Sequence, residues 1–435
     1  MTFLVLAVAN GRPLALSAQS LDAQLDALGQ VRDGDLTRKT EAPVDFYGDL
    51  AAAGLPYGTS IESYFRLNRD LARDDGEADF YAGYMRVPHL VPGTDVTVGR
   101  QFLSEVPGGV FVADAGKITV DAGLPFTFTA FGGEPRYFEP TYGNERFSQD
   151  EQIWGGRISA QPLGARVNVG YLQQRREGKT VRQLVSATAA RSFAGLPGSP
   201  TVYTTTAFDA DRQNIDLATL GFNTFVAPAR VLLNFESGYY KPQDHGEHVE
   251  PNIDRREDSI FEIFSVSEML QFRGGLTHYL TTTVSAFADY SYQHYEALPG
   301  SSEDGHVARG GVTWLPEGDG LELVRLEYYL IDSDGGNVNG GRLHYENRVY
   351  ERLVFRSNFD LTYYEKESNQ EDTAFSSLLG LGYLFTPALF CEVNFEANTN
   401  KRFDEDFRFG FWISYRFRGS VDDWKSDADT QGDVS

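Results

Sequence analysis

The chain has 435 residues, a net charge of -24 and seven histidines. That acidity argues against a nucleic-acid partner, which needs a basic face, and against a polybasic membrane-surface mode. A single cysteine, Cys391, excludes a disulfide framework and a Cys-x-x-Cys-His haem attachment, and no uncharged apolar run reaches the ~18 residues of a spanning helix.

Residues 1–18 begin with a short apolar run, 2–9, and end on small residues. They read as a remnant of a secretory signal without its basic start. Leu21, Leu25, Leu28 and Val31 then recur at helical spacing before Gly34. The spacing predicts a short amphipathic helix inside an N-terminal periplasmic segment, 19–58. Residues 44–53 could add a strand or belong to that segment.

From residue 59 the pattern has a period of two. Leu353, Phe355, Phe359, Leu361 and Tyr363 oppose Arg356, Asn358, Asp360 and Thr362. Leu389, Cys391, Val393, Phe395 and Ala397 oppose Glu392, Asn394, Glu396 and Asn398. In the last segment, 406–417, Phe407, Phe409, Phe411, Ile413, Tyr415 and Phe417 alternate with Arg408, Gly410, Trp412, Ser414 and Arg416. Successive strand side chains point to opposite faces, so one face is apolar and the other wet. Short connections, such as 123–125, 226–228 and 385–387, alternate with polar ones, such as 132–149, 241–258 and 365–373. An outer-membrane barrel sorts its connections this way.

The chain therefore reads as all-β: a closed antiparallel transmembrane β-barrel of about 20 strands, with 18 to 22 open, over residues 59–418. The aromatic content, 13 %, suits girdles at the membrane interfaces. The acidic tail 419–435 is expected to be disordered and periplasmic. A mean hydropathy of -0.35 is no objection, because half of each spanning strand is polar. The last strand is expected beside the Leu389 segment and a first strand near residues 61–67.

Arg408, Gly410, Ile413 and Tyr415, continued by Phe417, resemble the terminal signal by which outer-membrane barrels are recognised by the barrel-assembly machinery. Gly99-Arg100-Gln101-Phe102 resembles a phrase of porin-like barrels, and a short helix before the barrel is similar to the layout of several porin families. The resemblance to Gram-negative porins implies the bacterial outer membrane, contact with its lipid, and passive passage of small polar solutes. It leaves homotrimers open. It also leaves open a structural sheath around a multihaem cytochrome in an electron conduit, since some porin-like barrels play that part.

Charges on the lipid face cost roughly 2–4 kcal/mol for Arg or Lys at mid-membrane. Charges inside strands are thus expected to line the lumen: Arg166, Glu236, Asp289, Arg325, Glu327, Arg356, Asp360, Glu392, Glu396, Arg408 and Arg416. Their signs nearly balance, so ion pairing across the wall and weak selectivity are expected. Arg408 and Arg416 are plausible partners of Glu392 or Glu396. The segment 132–149, with Arg136, Tyr137 and Arg146, is the candidate constriction loop. No metal or cofactor is implied: the histidines are scattered, His245 and His248 sit in an acidic loop, and 332–337 lacks the terminal Glu of a calcium loop. No nucleophile is paired with a base, so no enzyme chemistry is expected.

Overall fold

The computed structural model describes residues 20–34, 39–72, 75–107, 109–121, 123, 125–138, 145–147, 151–241, 268–298, 301–316, 322–333, 336–349, 351–366, 370–399 and 405–419. These form one antiparallel sheet of 24 strands. In chain order they are β1 (Ser20–Gly34), β2 (Lys39–Glu41), β3 (Pro43–Leu55), β4 (Thr59–Asp70), β5 (Asp75–Val91), β6 (Thr94–Val106), β7 (Gly109–Val120) and β8 (Phe126–Phe138). Next come β9 (Glu145–Phe147), β10 (Glu151–Ala160), β11 (Arg166–Arg176), β12 (Lys179–Ser192), β13 (Thr201–Asp209), β14 (Asn214–Val226), β15 (Val231–Tyr240) and β16 (Met269–Tyr279). The last are β17 (Val284–Leu298), β18 (Ser301–Trp314), β19 (Leu323–Ser333), β20 (Gly336–Val349), β21 (Leu353–Lys366), β22 (Gln370–Thr386), β23 (Leu389–Thr399) and β24 (Asp406–Gly419). Two of these, β2 and β9, are three-residue extensions, so 22 strands make the wall.

Each wall strand pairs with the next, and β1 closes the ring against β24, from Leu21 opposite Gly419 to Arg32 opposite Arg408. Closure leaves no sheet edge, the condition for a sheet to cross a bilayer. The neighbour of β24 across the closure is thus β1, not the strand containing Ile61; its other neighbour is β23, as expected.

The expected helix at 21–31 is a strand. Three of its four apolar residues fit both periods, because Leu21, Leu25 and Val31 share a strand face as well as a helix face, while Leu28 falls on the bore side. The residues between them decide the matter: Ala23, Ala27 and Gly29 complete the outward face, while Asp22, Gln24, Asp26, Gln30 and Arg32 fall on the other. An isolated helix of this length is marginal, whereas β1 gains two hydrogen-bonded neighbours, β24 and β3. β1 and β3 raise the count to 22, and the wall begins at residue 20 rather than 59. The signal remnant, the acidic tail, His245 and His248 lie outside the described residues.

Several segments read as polar loops are strand. The β17–β18 ladder runs to Leu298 opposite Ser301, and β19–β20 to Ser333 opposite Gly336. Backbone pairing is indifferent to side-chain polarity, so ladders continue after the apolar pattern stops. At the β11–β12 turn, Glu177 and Gly178 have φ of 49° and 77°, the left-handed pair of a two-residue hairpin. The N-terminal end of β1 and the C-terminal end of β24 lie at the end of the barrel that carries turns such as 56–58 and 387–388. Tyr240 and Met269, paired at the end of the β15–β16 ladder, lie at the other end.

The two faces differ as the period demands. Phe407, Phe409, Phe411, Ile413 and Tyr415 of β24 all stand exposed on the outside, as do Leu361 of β21, Val393 of β23 and Leu326 of β19. Cys391, opposite Ile413, shares that outward face. A continuous apolar exterior on a closed barrel has lipid as its natural solvent.

Candidate functional site

The concave face is identified by a contact that only the inside allows. β6 touches β10, β11 and β12, none of them its neighbour in the wall. The residues packed there, Leu103, Ala113, Ala115, Phe131, Ile153, Leu172 and Leu184, form a buried apolar cluster with Val106. Carried from pair to pair, the register places their face together with the charged face of β15–β24. Every lumen residue expected from the sequence, from Arg166 round to Arg416, lies on it.

Those charges are paired, though not all as expected. Arg356 donates from Nη1 to Glu392 Oε2 at 2.9 Å and from Nε to Glu346 Oε2 at 3.1 Å. Arg342 meets Asp360 at 2.8 Å, and the Tyr329 hydroxyl donates to the same carboxylate at 2.7 Å. Arg325 meets Glu327 at 2.7 Å, and its guanidinium sits 4.5 Å from the centre of the Phe287 ring. Arg309 pairs with Asp289 at 3.2 Å. Arg408 holds Asp406 at 2.6 Å and is 3.8 Å from Glu396, while Arg416 reaches Gln24 across the closure at 2.5 Å. Glu236 accepts from the Tyr203 hydroxyl at 2.8 Å.

Near-balance of sign conceals an asymmetry of depth. In the pairs of β18–β24 the carboxylate is tucked against the wall and the guanidinium stands out: Arg342 is 52 % exposed against 22 % for Asp360, and Arg325 44 % against 8 % for Glu327. This stripe presents positive charge to the bore. The adjoining sector presents the opposite sign. A recess of about 370 Å³ on β24, β1, β3 and β4 is lined by Gln24, Asp26, Tyr47, Asp49, Tyr64 and Trp412. Asp26 is held there by neutral donors, the Gln24 amide at 2.8 Å and the Trp412 indole at 3.2 Å. Tyr47 and Tyr64 stack at 6.4 Å. Sequence reasoning missed this sector because the helical reading of 21–31 removed β1 from the wall. The signal was present in Asp22, Asp26, Asp45 and Asp49 at even spacing.

The bore is narrowed by an element that the sequence reading took for plain wall. The β5–β6 register covers only 83–91 of β5, and β8 pairs with β10 only over 126–133. Beyond those points the β6–β7 hairpin folds inward onto β10–β12. Two glycines seat it: a Cβ at Gly109 would lie 2.6 Å from Leu172, and one at Gly170 3.1 Å from Val106. On the opposite face of the same flap, Asp114 accepts from Arg100 Nε at 2.8 Å and from Arg136 Nε at 2.7 Å. Arg100 Nη1 also donates to the Phe80 carbonyl of β5 at 2.7 Å. Arg136, expected in the constriction loop, is therefore part of β8 and of this flap. The backbone of Tyr137 pairs with that of Arg146 as β8 continues into β9, while the rest of that loop lies outside the described residues.

In the last strand, Arg408 and Gly410 face inward and Ile413, Tyr415 and Phe417 outward. Residues 332–333 and 336–337 are paired strand ends, so the calcium-like segment is a hairpin end. Among the described residues no cluster of metal-ligating side chains occurs.

No protein-family model and no curated protein matches the sequence. Several solved structures align with it along most of its length. Pseudomonas aeruginosa OpdK with vanillate aligns with a TM-score of 0.46 at 11 % identity, covering 92 % of this chain and 98 % of that one. Pseudomonas aeruginosa OccK3 (OpdO) gives 0.45 at 13 %, covering 93 % and 97 %. OccK2 (OpdF) of the same organism, in complex with glucuronate, gives 0.46 at 10 %, covering 93 % and 99 %. By its closure, its even strand number and its apolar exterior around a charged bore, this chain has the fold of a transmembrane β-barrel of the bacterial outer-membrane type.

Proposed function

We propose that the protein is a passive channel for small polar solutes. The observation that carries this reading is the bore itself: a wall of charged, hydrogen-bonding side chains, narrowed on one side by the β6–β7 hairpin. Solutes shed part of their hydration at a constriction, and fixed charges and hydroxyls there substitute for it. The guanidinium stripe of β18–β24 favours anionic groups, and the neighbouring recess with Asp26 and Asp49 favours cationic ones. A polar solute carrying both signs is accommodated best. The sheath alternative is not carried forward, because the hairpin stands in bore that an enclosed cytochrome would fill.

Purified protein in a planar bilayer should give discrete ohmic steps, with reversal potentials under a salt gradient showing weak selectivity. Arg325→Gln with Arg342→Gln should move selectivity toward cations, and Asp26→Asn with Asp49→Asn toward anions. A folded protein that yields no steps, and vesicles that do not swell in small sugars or amino acids, would overturn the reading.

A further inference from the structure

We propose that the β6–β7 hairpin is a gate with two positions, seated on β10–β12 as described and lifted from them. The proposal deepens the channel reading and rests on it for its electrical readout only. Three observations carry it.

On its β6 side the hairpin is free of β5 beyond the root, since β5 pairs with β6 only over 83–91, and on its β7 side it carries the end of β8, which stays paired with β7 to Arg136 but leaves β10 beyond residue 133. It can therefore swing without breaking the wall ladder below. Next, the surface it covers is divided. Its centre is apolar, with Leu172 and Leu184 wholly buried, but polar groups are sealed around them. Among the described residues Arg182 Nε and Ser186 Oγ of β12, together with Gln101 Oε1 on the hairpin itself, are buried without a hydrogen-bond partner. Seating gains the burial of aliphatic side chains and forfeits the hydration of these atoms. The two terms are of comparable size per group, so they oppose one another instead of fixing one position. A permanent packing interface would have an apolar or fully satisfied wall beneath it; a lumen wall that is periodically bare needs the polar one seen here.

The third observation is a latch at the root. Asp114 bridges Arg100 and Arg136, and Arg100 ties the flap to β5 through the Phe80 carbonyl. Asp114 is thus a positioning residue for the seated state, and removing its charge should favour the lifted one.

The test uses the full barrel with Cys391→Ala. Val106→Cys with Gly170→Cys should cross-link on oxidation, because a Cβ at 170 lies 3.1 and 3.5 Å from the two Val106 methyls. Oxidised protein should lose the upper conductance level and its transitions, and reduction should restore both. Independently of conduction, a single Leu172→Cys should react with a membrane-impermeant maleimide while the barrel stays folded, several-fold faster when Asp114→Asn is added. Failure to cross-link, traces that are the same locked and reduced, or a Leu172→Cys that stays unlabelled in the folded protein would each overturn the gate. If the parent barrel conducts nothing, the channel reading falls, and the labelling still decides whether the hairpin lifts.

Discussion

At the scale of single residues, the inner wall is governed by the cost of leaving a charge alone rather than by the gain of pairing it. Glu392 is almost completely buried, and Arg356 is its cationic partner. Arg356→Ala should destabilise the barrel by about 3 kcal/mol, a figure at the low end for a broken buried pair because the arginine is itself partly exposed. Replacing both residues by Met should recover most of that loss. Heat-modifiable mobility of the folded barrel against temperature reads both outcomes; a single mutant as stable as the parent would show that Glu392 needs no cation. Much at this scale was legible in the sequence, because parity alone assigns a strand residue to a face. Which partner each charge takes was not, because that depends on strand neighbours and on rotamers: of the expected Glu392 and Glu396, Arg408 reaches only Glu396, and it holds Asp406, two residues away, more closely.

At the scale of elements, β1 is the instructive case. Three of the four apolar residues of its stripe fit helix and strand alike, and in isolation neither is stable. Two neighbouring strands settle it, one of them almost the full chain length away in sequence. The strand reading makes a sharp prediction. Ala27 faces lipid opposite Ile413 and Phe46, whereas Asp26 faces the bore opposite Ser414 and Tyr47. Ala27→Arg should cost roughly 2–4 kcal/mol and lower the yield of folded barrel in vesicles, while Asp26→Arg should fold normally. Equal folding of the two variants would contradict the assignment. The second half of the chain needed no such arbitration: in β23 and β24 the apolar face is unbroken over a bilayer-crossing length, in β21 only Ser357 interrupts it, and no helix shares that period. The β6–β7 hairpin was hidden for the opposite reason. Its residues alternate like wall, and nothing local says that the strands leave their neighbours. Only small residues at the right places, Gly109, Ala113, Ala115 and Gly170, hinted at a close approach.

At the scale of the whole molecule, closure decides function. A ring of 22 strands encloses a bore wide enough to need either a plug or a constriction, and here the wall supplies the constriction from its own hairpin. Neutralising the two charged sectors in turn should move ion selectivity in opposite directions, as set out above. Such a result would show that the sectors act on one permeation path. A shift in the same direction for both would mean that loop charges at the mouths, not the wall, set the sign.

The sequence by itself determined the solvent of each face, the all-β class and the inward direction of the charged side chains. These follow from a period of two and from the cost of placing ions in hydrocarbon, both local properties of each strand. Tertiary structure decided where the ring closes, how many strands it holds, how deep each charge sits and which part of the wall folds into the bore. Those depend on contacts between residues tens to hundreds of positions apart, which no local pattern encodes.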